Sequence, residues 1–294
     1  MVQDLFARDL FQFFPHYFPN KYKYTSHHIL STIGAEGMKK SNPITFPYLK
    51  KFNLVIGAIH LVQGIIMLAI SNDFTIPITR NYLVMDEVTN RLIVKTVSIT
   101  EVQLGPIIAS FLFMSALAHL LVGTVLFKKY TKQLEKGMNR YRWIEYSISA
   151  SVMIVAIAML TGIYDIGTLI LIFGANSIMI FCGHLMESRN QLTTKVDWSP
   201  FMVGSFAGLI PWIVIAIHLL GAGGGDGGPP DFVYYIYVSI AIAFNCFALN
   251  MVLQYKKYGK WENYLYGERM YIVLSLVAKS LLAWQVFAGT LRPD

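Results

Sequence analysis

Charged side chains are scarce in this chain. Asp, Glu, Lys and Arg make up 14% of its 294 residues, against roughly 25% in an ordinary soluble domain. That shortage, beside a hydrophobic content of 55%, excludes water as the main solvent and makes a membrane protein the default class. Acidic groups are scarcer than basic ones, leaving a formal net charge of +7. The surplus cations stand in loops beside apolar stretches and form no continuous basic face, so no nucleic acid partner is expected and membrane lipid, on the anionic inner leaflet, is. There are two cysteines, Cys182 and Cys246, each inside an apolar run, and no structural disulfide is expected. No Cys or additional His stands at ligand spacing, so no metal site is expected, and no catalytic constellation marks an enzyme.

A secretory signal is also missing. Arg8 is followed by an aromatic mixture, with no small-residue cleavage site after an apolar core, so residues 1–49 read as a retained cytoplasmic N-terminal extension. Two readings stand open for it: Phe11, Phe13, Phe14, Tyr17 and Phe18 on the membrane surface, or a disordered tail ending at Pro43 and Pro47.

What the chain has in abundance is long apolar runs. Punctuation by charge, Gly and Pro divides them into spans near 51–71, 105–127, 141–163, 166–187, 200–220, 232–255 and 267–290. Each is long enough to cross a hydrocarbon core of roughly 30 Å at about 1.5 Å per residue. The expected fold is therefore an all-α, seven-transmembrane-helix bundle occupying 50–291. Only Gly162-Ile163-Tyr164-Asp165 separates the third and fourth spans, which makes them antiparallel neighbours. In the 71–104 loop, Tyr82-Leu83-Val84-Met85 and Leu92-Ile93-Val94 flank a turn-like Thr89-Asn90, predicting a short β-hairpin.

Cations then assign the two sides, since cytoplasmic flanks carry the excess of Lys and Arg. One side holds Lys39, Lys40, Lys50 and Lys51; Lys128, Lys129, Lys132, Lys136 and Arg140; and Lys256, Lys257, Lys260 and Arg269. The other has Arg80, Arg91, Lys95 and Arg292, and the stretch GAGGGDGGPPD from Gly221 to Asp231 has no cation. The reading is a multi-pass cell-membrane protein with its N-terminus cytoplasmic and its C-terminus extracellular.

Within the last span Lys279 lies too deep to snorkel: about twelve residues, roughly 18 Å, separate it from either end, while a lysine stem reaches about 6 Å. A buried structural ion pair is the plain explanation. The functional one is a desolvated amine that attacks an aldehyde, and a Schiff base with retinal is the natural product. A cationic imine needs an acid, and Glu145 is the obvious candidate among very few intramembrane carboxylates. A helix starting near Gly137 would bury it by roughly 12 Å, whereas a start near Trp143 would leave it a solvated first-turn acid.

His60 and His119 fall at nearly one depth on adjacent antiparallel spans. Gln63 at i+3 and Ser115 at i−4 give each imidazole a polar neighbour, and a hydrated inner cavity, with Asn139 assigned to it as well, is expected to handle protons. Satisfied packing histidines remain the alternative. Most of Phe181, Trp198, Phe206, Trp212, Tyr234, Tyr237, Phe244 and Trp284 would be packing or interface anchors in any polytopic protein. Trp212, Phe244, Met179 and Tyr146 are nonetheless assigned as rigid walls for a polyene, with Ser149 and Ser275 beside them.

The segments RYRWIEYSISASVMIV (140–155), IFGANSIMI (172–180), GLIPWI (208–213), FNCFAL (244–249) and GERMYIVLSLVAKSLLAWQVFAGTL (267–291) resemble heliorhodopsins over essentially residues 48–291. Residues 1–47 extend beyond the shorter arm of that family. The resemblance implies all-trans retinal on Lys279, Glu145 as counterion, and His60 and His119 in a cytoplasmic-side cavity. It also implies a hairpin in the first external loop and a homodimer. The function expected is a photoreceptor with a slow signalling photocycle, an unknown signalling partner and no ion pumping. Light-activated proton or ion transport is the alternative.

Overall fold

The computed structural model describes residues 44–221 and 228–291. The readings placed on Lys39, Lys40, the aromatic residues before Pro43, the glycine-rich stretch from 222 to 227 and Arg292 lie outside the described residues.

Among the described residues, seven helices are long and apolar enough to cross a membrane. In chain order these are α1 (Phe46–Ile70), α2 (Leu104–Gly123), α4 (Arg140–Leu160), α5 (Ile166–Asn190), α6 (Ser199–Gly221), α7 (Asp231–Tyr255) and α8 (Tyr264–Val286), the last continued by a π-turn over Phe287–Leu291. A short helix, α3 (Phe127–Leu134), joins α2 to α4, and a 3-10 turn over Gly259–Glu262 precedes α8. The residues of α3 stood outside the predicted spans or at the edge of one, because an eight-residue basic segment carries no span-length apolar signal.

Local chemistry explains several boundaries. Thr45 caps α1 by accepting from the Tyr48 N–H, which starts the helix at Phe46, inside the stretch read as extension. Asn139 caps α4 by accepting from Arg142 N, so α4 begins at Arg140, between the two starts weighed from sequence. Asp165 caps α5 through the Thr168 N–H. Gly162 sits at φ 88° in the tight α4–α5 turn, a left-handed conformation that favours glycine.

The hairpin is longer than the short one expected. β1 (Thr75–Asp86) and β2 (Arg91–Gln103) pair antiparallel along their whole length, with one irregularity at Ile78/Thr79. Asn90, at φ 51°, supplies the left-handed residue of the turn, and Asp86 accepts from the Thr89 hydroxyl and amide. Ile76 and Ile78 enter the bundle core, which anchors the hairpin base, while most of its outer part is exposed. Pro77 between them hides the start of β1 from a propensity reading.

The largest apolar cluster, including Met67, Ile108, Leu112, Ile154, Ile157, Leu282 and Val286, also takes in Ile76 and Ile78 of the hairpin base. It therefore fills the hairpin end of the bundle. The buried polar residues described next gather toward the α3 end.

Candidate functional site

Lys279 sits on the inward face of α8 and is 3% exposed. Helical side chains lean toward the N-terminus of their own helix, and Lys279 does so: its Nζ donates to Ser275 Oγ, one turn back, at 2.9 Å. The same Nζ donates to Glu145 Oε1 at 2.8 Å, and it lies 5.0 Å from the centre of the Tyr146 ring. Glu145 also accepts from the Ser115 hydroxyl of α2 at 2.6 Å. The acid is only about 7.5 Å along α4 from Arg140, yet its side chain is 8% exposed. A buried polar layer built on Arg142 covers it from the helix end, so depth along one helix underestimated its burial. Ser149 is fully buried one turn further along α4.

The imidazoles of His60 and His119 stack, with ring centres 5.8 Å apart and planes 9° apart. Asn53 Nδ2 donates to Leu49 O at 2.8 Å, which turns its Oδ1 toward His119 Nδ1 at 2.7 Å. That orientation makes Nδ1 the protonated nitrogen of His119. Two assignments need correction here. Gln63 accepts from Trp284 Nε1 at 3.1 Å and is not the partner of His60, because the inward stripe of α1 runs His60, Gly64, Met67 and leaves Gln63 at its edge. Ser115 serves Glu145, and the partner of His119 is Asn53.

Beyond the Lys279 amine lies a cavity of about 280 Å³, near the lower edge of small-molecule sites. Tyr146, Met179, Trp212, Phe244 and Ser275 all line it, together with Trp143, Phe247 and Tyr271. Trp212 is held edge-on against Tyr237 and Phe244 at 5.4 and 5.6 Å, which makes that wall stiff. Small residues leave room for the other wall. A Cβ on Gly183 would come within 2.5 Å of the Trp143 ring, and one on Gly204 within 2.7 Å of Cys182 Cβ. Phe181 and Phe206, by contrast, face outward.

The family model for heliorhodopsins matches residues 49–291. The chain belongs to the heliorhodopsin family. It is thus a multi-pass membrane protein of the retinal rhodopsin type, concerned with sensing light. A search of curated proteins returns no match. Among solved structures the chain is similar to the transmembrane domain and linker region of the Salpingoeca rosetta rhodopsin phosphodiesterase. The two share 17% identity at a TM-score of 0.55, over 83% of this chain and 70% of that one, a likeness of fold alone.

The site fits the chromophore of this heliorhodopsin. A twenty-carbon polyene aldehyde needs an amine at one end of an apolar, aromatic-walled cavity, and Lys279 opens into such a cavity with an acid in contact.

Sequence reasoning missed a second polar centre. Arg142 is paired with both Glu187 of α5 and Glu268 of α8, and all three are buried. Its guanidinium carbon lies 3.9 Å from the centre of the Tyr271 ring. Trp143 Nε1 donates to Glu187 at 2.6 Å, and Tyr264 and Tyr130 hydroxyls donate to Glu187 and Glu268 at 3.0 Å each. Asn139, assigned to the histidine cavity, lines a small cavity together with His119 and also joins this centre: its Nδ2 donates to Glu268 at 2.7 Å and its N–H to Glu187 at 2.9 Å. Each ion stands within two turns of a helix end and reads singly as an interface charge. Their common level across three helices was the available signal.

Proposed function

We propose that this heliorhodopsin is a photoreceptor that binds all-trans retinal on Lys279, with Glu145 as counterion, and signals without pumping ions. When bound, retinal supplies absorption of visible light and an isomerisable double bond. The chain's residues do the rest. Ser275 and Glu145 orient the Lys279 nitrogen, and Ser115 holds the carboxylate in place. Tyr146, Met179, Trp212 and Phe244 exclude water and confine the polyene. A displacement of the Lys279 nitrogen changes its contact with Glu145 and, through the adjoining small cavity of about 30 Å³ lined by both Glu145 and His119, the hydrogen bonding of the inner polar groups.

The observation that carries the reading is the 2.8 Å contact between an intramembrane lysine and an acid, at the end of an aromatic cavity. The experiment is a visible spectrum of purified apoprotein after addition of retinal, repeated with Lys279→Ala. The wild type should form a coloured pigment and the variant none. Colour that survives in the variant would overturn the assignment.

Absence of pumping is supported by the apolar packing of the hairpin end, where Met67, Ile108, Ile157, Leu282 and Val286 interlock. The cation pattern supports a cytoplasmic α3 end, with the hairpin outside. Exposed apolar residues on the hairpin, among them Leu83, Val88 and Val94, support pairing with a second copy.

A further inference from the structure

The helix α3 has two unlike faces. Tyr130 and Leu134, one turn apart, are buried, Tyr130 to 1% exposure. Lys128, Lys129 and Lys132 are exposed, and Lys50, Lys51, Lys136 and Arg140 are exposed at the same end of the bundle. Glu135 is the lone acid between Glu101 and Glu145. Among the described residues, none of these cations is ion-paired. Lys50 Nζ lies 5.1 Å from the centre of the Phe127 ring, which joins the α1 cations to the α3 face. An eight-residue basic helix that joins two span-length helices suits the headgroup layer, where unpaired ammonium groups match phosphate and carboxylate headgroups.

The buried face leads to the chromophore site. Tyr130 Oη donates to Glu268 at 3.0 Å and lies 3.5 Å from Asn53 Nδ2. Asn53 in turn holds His119. Tyr130, Asn53, His119, Glu145, Arg142 and Glu268 all line the one small cavity. Turns join α3 to its neighbours on both sides, one of them containing Gly137 at φ 67°, and a helix of two turns has little stability of its own. Its position is therefore set by what holds each face.

We infer that α3 is a docking surface for anionic phospholipid headgroups, and that Tyr130 couples its occupancy to the hydrogen bonds around His119 and Glu145. The coupling rests on the light-sensing reading, whereas the docking does not. A tighter hold on the lysines fixes Tyr130 and, with it, the side chains that surround Glu145. Lipid composition thereby tunes how fast the illuminated protein recovers.

The test uses the full-length protein in nanodiscs of phosphatidylcholine, with or without phosphatidylserine. Binding of a fluorescent phosphatidylserine should weaken by on the order of tenfold or more in a variant combining Lys128→Gln, Lys129→Gln and Lys132→Gln, and added salt should reproduce that loss. Tyr130→Phe should bind the probe like the wild type. After a flash, recovery of the visible band should differ several-fold between the two lipid compositions in the wild type, and should be equal in both variants. Unchanged probe binding in the triple-lysine variant would overturn the docking and reduce the lysines to topology signals. Intact binding with lipid-independent recovery in the wild type would overturn the coupling. Should Tyr130→Phe fold poorly, wild-type recovery in anionic nanodiscs across salt concentrations reads the same coupling. A wild type that forms no pigment would sink the light-sensing reading and the coupling together, leaving the docking to be judged by the probe alone.

Discussion

An ammonium and a carboxylate 2.8 Å apart in the bundle interior compensate for each other's loss of hydration, and neither is tolerable there alone. Replacing Glu145 by Gln should therefore move the visible band of the pigment, because the cation on Lys279 loses its charge partner. A spectrum that does not move would remove Glu145 from the counterion role. Arg142 is more demanding, since it neutralises two carboxylates that three helices have buried. Arg142→Gln should cost about 3–5 kcal/mol and lower the thermal midpoint, measured by denaturation in detergent, well beyond the effect of a surface Arg→Gln control. Lys279 was legible as a single residue because the membrane makes a central charge conspicuous, and Glu145 as the acid that a cation there requires. Arg142, Glu187 and Glu268 were not, because charges near helix ends are ordinary.

Elements are bounded by a few side-chain hydrogen bonds. Asp165 caps α5 through the Thr168 N–H and hydroxyl, at 2.9 and 3.0 Å, and pairs as an isolated bridge with Thr79 of β1. Those bonds, the backbone one first, hold its carboxyl below the usual Asp value. A depressed carboxyl stabilises the fold fully above its unfolded-state pKa, and this contribution fades as pH falls through the folded-state one. Asp165→Ala should cost about 1 kcal/mol near neutrality, and thermal melts should show the difference from wild type shrinking in acid. A gap that holds constant down to strong acid would contradict the capping role. Small residues act at the same scale. Gly183→Ala should displace the Trp143 ring from Glu187 and destabilise by about 1–3 kcal/mol, which thermal melting would register. The α4–α5 turn was readable from its glycine and its length. The extent of the hairpin was not, because the burial of Ile76 and Ile78 depends on the bundle beneath them.

The interior of the described bundle is polar toward its α3 end and apolar toward its hairpin end, and that asymmetry suits a sensor better than a conduit. Whole-cell recordings under illumination should show no sustained current. A voltage-dependent photocurrent abolished by Glu145→Gln would instead establish transport through the bundle. The seven spans, the reversal at 162–165 and the intramembrane lysine were determined by the sequence alone, because hydrocarbon excludes charge and each span must satisfy its own backbone. Tertiary structure decided which polar groups meet. The stacking of His60 on His119, the turning of Gln63 to Trp284 and the gathering of Arg142 with Glu187 and Glu268 depend on helix rotation and tilt. Those are set by packing between helices distant in sequence, and no local pattern in a single helix records them.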